Sequence, residues 1–129
     1  MLELLGDRWS LLILRDAILL DKRRYGDFLA SPEGISTNIL ASRLKQLESS
    51  GILEKFPDPT DGKAYLYIPT ERGVKLLPLL VEAMRWGLSE FGESGVPDFA
   101  EALLEEGTAH YVEDKFAVLS KEREGLNCL

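Results

Sequence analysis

The stretch from Ile35 to Gly51 constrains the fold more than any other, because it carries a full set of helix signals and two unlike faces. Ser36 reads as the N-cap. Ile35 and Leu40 then fall at the N′ and N4 positions that pack as a hydrophobic staple, and Gly51 supplies a left-handed stop. At helical spacing Leu40, Leu44 and Leu47 lie within about 60° of one another and form one buried stripe, while Asn38, Ser42, Lys45 and Ser49 cluster on the opposite side. Surface helices are normally filled with Glu, Lys and Arg, whereas this face offers short hydrogen-bonding groups and Ala41. Such a surface fits a DNA major groove: small residues let the backbone approach the bases, and Asn, Ser, Thr and Lys read their edges. A merely solvated face is the plainer reading of the same pattern.

The flanking segments bear on that choice. Asp7 can cap a helix from Arg8 to Leu20, in which Trp9, Leu12, Ile13, Ala17 and Leu20 recur at helical spacing. A short helical piece follows from Lys22 to Leu29, beginning with the cations Lys22, Arg23 and Arg24, and Ser31-Pro32-Glu33-Gly34 makes a turn. Downstream, Ile52 to Pro57 and Ala64 to Pro69 are β-prone runs joined by Asp58 to Lys63. They read as a hairpin with Pro59 at the first central turn position and Gly62 in a left-handed position behind it. Thr70 can cap a long helix from Glu71 to about Phe91, which Pro78 should kink or break. Its apolar positions, among them Leu77, Leu80, Val81, Met84, Leu88 and Phe91, exceed what one small domain can cover and imply a partner. Beyond Gly92 the run Glu93 to Pro97 reads as a linker, Asp98 as the cap of a helix to Glu106, and Gly107-Thr108 as a stop and new cap. A last helix to about Glu122 carries Ala109, Val112, Phe116 and Leu119 on one side.

Charge is unevenly divided. The formal net charge is -7, yet residues 1 to 86 hold 12 Lys+Arg and 12 Asp+Glu, while residues 87 to 129 hold 3 and 10. Phosphate binding depends on where cations lie, so a neutral N-terminal part with basic clusters remains compatible with DNA. The acidic part must then face away from it. The single cysteine, Cys128, excludes a disulfide framework and a thiol-rich zinc site, and a reducing, cytoplasmic setting is expected. Neither a membrane span nor a signal peptide is read. No phosphate loop, nucleophile elbow or paired metal-ligand helix appears, so an enzyme is not expected, nor a metal or cofactor. His110 lacks companion ligands.

Helix, short basic helix, groove-fitting helix, hairpin and long helix follow one another as in a winged helix-turn-helix, a mainly α fold with a small β-hairpin and, here, additional C-terminal helices. Specific strings add to that order: Leu4 to Leu14, Arg24 to Phe28, Gly34 to Leu40, Arg43-Leu44 through Leu47-Glu48, Gly51 to Leu53, Tyr67 to Gly73, Leu76 to Pro78 and Trp86-Gly87. With them the chain resembles the HxlR family of bacterial regulators, within the MarR-like group, over about Leu2 to Gly87. The resemblance implies a sequence-specific regulator of transcription. It implies a homodimer with N- and C-terminal helices packed across the two-fold, recognition helices in successive major grooves of a palindromic operator, and wings beside the backbone. Many relatives carry a sensing cysteine ahead of the Leu-Leu-Gly string; this chain begins after that point, so either the start is trimmed or thiol sensing is absent.

The expected DNA-binding residues are Arg24, Ser36, Thr37, Asn38, Ala41, Ser42, Arg43, Lys45 and Lys63, with Arg24 and Lys63 as phosphate anchors. Arg43, on the flank with Ile39, is read equally as a phosphate contact or the partner of a structural carboxylate. Lys22 and Arg23 either join Arg24 on phosphates or are a solvated charge run. Tyr65 and Tyr67 are expected to fill a sheet face. Residues 1–92 form the expected DNA-binding and dimerising unit, and 93–129 an acidic helical extension. An unidentified small-molecule effector could bind between the domain and the C-terminal helices. The competing class is a winged-helix protein-interaction module without DNA binding; it would expose aromatic or large apolar anchors on the helix face that carries Asn38 and Lys45.

Overall fold

A computed structural model describes residues 6–91 and 109–127. Helix α1 spans Arg8–Leu19, with the Asp7 carboxylate accepting from the Ser10 amide at 3.1 Å. Leu20 is an exposed cap rather than a core position, and Asp21 takes a left-handed φ of 54°. The amides of Leu20 and Lys22 both donate to the Asp16 carbonyl, which closes the helix end. Helix α2 is short, Tyr25–Leu29, so Lys22 to Arg24 precede it as extended chain instead of opening it. Arg24 forms an antiparallel bridge with Leu66, and Tyr67 donates its amide to the Arg23 carbonyl at 2.8 Å. These cations thus run along the hairpin edge.

Helix α3 spans Thr37–Ser49 between the signals expected for it. The Ile39 amide donates to Ser36 Oγ at 3.3 Å, and Ile35 and Leu40 are both buried in the core. Gly51 has φ 74°, with Ile52 N–H donating to Leu47 O at 2.9 Å and Gly51 N–H to Glu48 O at 3.0 Å, the two bonds of a Schellman stop. Strands β1, Leu53–Asp58, and β2, Asp61–Pro69, pair antiparallel from Leu53↔Pro69 to Asp58↔Asp61. The expected six-residue loop is replaced by a tight turn at Pro59-Thr60, because Asp58 accepts from the Thr60 amide at 2.9 Å and its hydroxyl at 2.7 Å. Gly62 therefore lies inside β2 and has no positive φ.

The single long helix expected after Thr70 is two pieces, α4 at Glu71–Val74 and α5 at Leu77–Phe91. Pro78 sits in the first turn of α5, where its missing N–H costs nothing. Gly73 approaches the hairpin base so closely that a Cβ there would lie 2.4 Å from the Ile52 carbonyl oxygen. Helix α6 spans Ala109–Asn127, longer than the sequence suggested. The linker and helix read between Glu93 and Thr108 lie outside the described residues, as do the side chains of Leu88, Phe91 and Ala109.

One core cluster gathers α1, Phe28, the α3 stripe, the hairpin base and Leu77, Leu80 and Val81. A second joins Phe56, Ile68, Val74 and Leu119, with Val112 and Phe116 packed against it, so α6 lies on the winged unit. Polar links hold it there, among them Arg23 to Glu122 at 2.9 Å, Lys115 to Asp21 at 2.8 Å, and Arg123 to the Pro69 carbonyl at 2.7 Å.

Candidate nucleic-acid interface

Because Leu40, Leu44 and Leu47 are turned into the core, the opposite side of α3 is presented to solvent. Ser36, Thr37, Asn38, Ala41, Ser42 and Lys45 are all exposed. No large apolar or aromatic side chain stands among these residues. Ser49, at the far end, turns its hydroxyl to the Lys45 carbonyl at 2.8 Å. The first turn of α3 is held from outside, since Tyr25 Oη donates to the Thr37 carbonyl at 3.0 Å.

Arg43 meets a carboxylate inside the chain: its Nε donates to Asp7 Oδ2 at 2.5 Å, a bond that also holds the Asp7 carboxyl below its usual range. It joins α3 to the start of α1. Arg24 is likewise engaged, with Nε on Asp58 Oδ2 at 2.6 Å and Nη2 3.4 Å from Thr60 Oγ1. The bond from Arg24, together with those from the Thr60 amide and hydroxyl, drives the Asp58 carboxyl well below the carboxylate range. Lys63 is exposed on β2, and Arg24, Tyr25, Gly26, Lys63 and Tyr65 line a cleft of about 440 Å³ between α2 and the wing. Tyr67 is half-buried against the core, as expected of a sheet face, but Tyr65 is exposed and stacks under Lys55, 4.0 Å from its ring centre.

Neither reading of Lys22 and Arg23 holds. Lys22 Nζ donates to Asp16 at 3.1 Å and to Ser31 Oγ at 2.9 Å, and Arg23 donates to Glu122 and, at 2.8 Å, to the Ala17 carbonyl. These two cations close the fold. Lys22 belongs to a hub centred on Asp16, only 2% exposed, which accepts from Arg15, Lys22 and Ser31. Arg15 Nη2 reaches on to Glu33 at 2.7 Å, tying α1 to the turn that leads into α3. Sequence reasoning missed this hub, although the Arg15-Asp16 pair between the apolar runs Leu11–Leu14 and Ala17–Leu20 was its signal.

Between α1 and α5 runs an open groove of about 450 Å³ with Leu11, Leu12, Leu80, Ala83 and Met84 in its walls, flanked by Arg8 and Arg15. Among the described residues no cluster of His, Cys, Asp and Glu could hold a metal, and no helix is long and apolar enough to cross a membrane.

The profile of the family described as HxlR-like helix-turn-helix matches residues 4–94. An uncharacterized HTH-type transcriptional regulator of Mycobacterium tuberculosis is 42% identical over 86 residues, which make up 67% of this chain and 53% of that protein. The chain spans about half the length of that relative. The HTH-type transcriptional regulator YodB of Bacillus subtilis is 34% identical over 94 residues, 72% of this chain and 81% of that one. Among solved structures, that of PA1607, described as a candidate transcription factor, superposes with a TM-score of 0.66 at 40% identity, covering 74% of this chain and 67% of that chain.

Proposed function

The chain belongs to the HxlR-like helix-turn-helix family, and on that premise we propose that it regulates transcription by binding double-stranded DNA sequence-specifically, as a homodimer on a palindromic operator. The observation that carries this reading is the exposed face of α3, where Thr37, Asn38, Ser42 and Lys45 stand clear of any large side chain. Asn pairs bidentately with adenine and Lys bonds guanine, so this face has the donors and acceptors that base reading needs. Ser36 and Ala41 keep the approach shallow, and Lys63 meets a phosphate from the wing. Arg43 serves the interface through Asp7, holding α3 against α1. Residues 1–92 bind DNA and dimerise, and α6 of the acidic extension 93–129 faces away from the phosphates. The related regulator YodB supports the reading through its name and similarity.

The test is a binding selection from random duplexes at two salt concentrations. A palindrome with half-sites roughly one helical turn apart is the expected product. Binding that enriches no sequence at either salt would overturn the proposal.

A further inference from the structure

The hairpin is anchored to the helical part at two heights. Near its middle the anchors are backbone: the Arg24↔Leu66 bridge and the Tyr67 amide on the Arg23 carbonyl. From Leu66 to the turn at Asp61 the wing continues for roughly 17 Å at about 3.3 Å per residue. A two-stranded ribbon of that length is marginal by itself, and Pro57 and Pro59 remove amide donors from its far end. The register also shifts between Pro57 and Asp58. Lys63 lies on this outer part.

Among the described residues, one side-chain cluster ties the outer part to the helical part. The Asp58 side chain is 1% exposed, and both its oxygens are used: Oδ1 accepts from the Thr60 amide and hydroxyl, and Oδ2 accepts from Arg24 Nε at 2.6 Å. Arg24, half exposed, leads directly into α2, where Tyr25 bonds the first turn of α3. The connection therefore runs from the wing turn through Arg24 and Tyr25 to Thr37, beside the reading face.

We infer that Arg24 and Asp58 are a positioning pair that holds the wing tip, and Lys63 with it, in fixed relation to the reading face of α3. The inference rests on the DNA-binding reading, and it changes the role expected for Arg24. An arginine whose charge is already paired with a buried carboxylate is a poor free phosphate anchor. Exposed ion pairs contribute little to stability, but a carboxylate fixed by three donors sets geometry.

The test compares the natural chain with Asp58→Asn, Arg24→Gln and the double variant. Affinity for the selected operator and for random duplex is measured across a salt series, and amide hydrogen exchange is followed along β2. Asp58→Asn is expected to lower operator affinity on the order of tenfold, the scale of losing a DNA contact, while binding to random duplex holds or rises because an acidic group is gone. Exchange should quicken between Asp61 and Tyr65 and stay unchanged at Ile68. The double variant should bind operator no worse than either single one, as expected for a coupled pair. Circular dichroism checks folding; should Asp58→Asn unfold, Arg24→Gln probes the same link from its exposed side. Operator binding by Asp58→Asn as tight as that of the natural chain, or additive losses in the double variant, would overturn the inference. If the natural chain itself fails to distinguish operator from random duplex, the DNA-binding reading falls. Exchange then decides the pair alone, and an unchanged wing tip in both single variants rejects it.

Discussion

At the scale of single residues, two positions turn local geometry into measurable stability. Gly73 sits where a Cβ would stand 2.4 Å from the Ile52 carbonyl oxygen, and that oxygen is backbone already accepting from the Thr70 amide. Nothing flexible can yield. Gly73→Ala should destabilise by about 1 to 3 kcal/mol, the range for forced overpacking, read as a lower urea midpoint. The second case is electrostatic. Asp58 and Asp7 both titrate below their usual range in the folded chain, chiefly because Arg24 and Arg43 donate to them. A carboxylate depressed by folding stabilises the fold above its unfolded pKa and loses that contribution as pH falls toward the folded value. Stability measured by urea unfolding should therefore hold near pH 7 and decline below about pH 4. Asp58→Asn should flatten part of that decline, and an unaltered acid profile in this variant would show that the Arg24 contact does not distinguish the folded state.

At the scale of elements, α3 was legible in the sequence almost in full, since its cap, stripe and stop are local signals that tertiary packing had no cause to override. Ser36→Ala should cost about 1 kcal/mol of stability by leaving the first-turn amides without their acceptor. Asn38→Ala should leave stability unchanged while relaxing base preference at one symmetric pair of operator positions, with about 1 to 3 kcal/mol lost at the preferred base. Equal weakening toward every sequence would remove Asn38 from the reading set. The hairpin was legible in existence but not at its turn. Gly62 drew the left-handed position to itself, yet Asp58 and Thr60 closed the turn earlier with side-chain bonds, for which Asp-Pro-Thr was the available signal. Pro78 marked the break after α4, though only the structure shows that it opens α5. Least legible were the cations. Arg15, Lys22, Arg23 and Arg43 reach Asp16, Glu33, Glu122 and Asp7, pairings set mostly by distant chain segments that no periodicity encodes.

At the scale of the whole molecule, the charge division becomes spatial through α6, whose Glu122 meets Arg23 and whose Leu119 closes the second core cluster. Within the acidic C-terminal part, α6 is thereby joined to the winged unit against Phe56, Ile68 and Val74. Apolar surface stays exposed on α5 and along the groove beside α1. Leu79 and Trp86 on α5 are 47% and 61% exposed, and Met84 lies with Leu11, Leu12 and Leu80 along the open groove beside α1. Apolar surface of this extent on a small unit is what an isologous interface covers, and a second copy brings the same helices to it. Sedimentation of the natural chain should therefore give a dimer. Met84→Glu places a charge in the groove wall, at a partly buried position on the edge of the core, so it should yield monomers or aggregates with α-helical content retained in circular dichroism. Operator affinity should fall with it, because two half-sites read by one linked dimer become two separate binding events. A natural chain that sediments as a stable monomer, or a Met84→Glu variant that remains dimeric, would place the two-fold elsewhere or remove it.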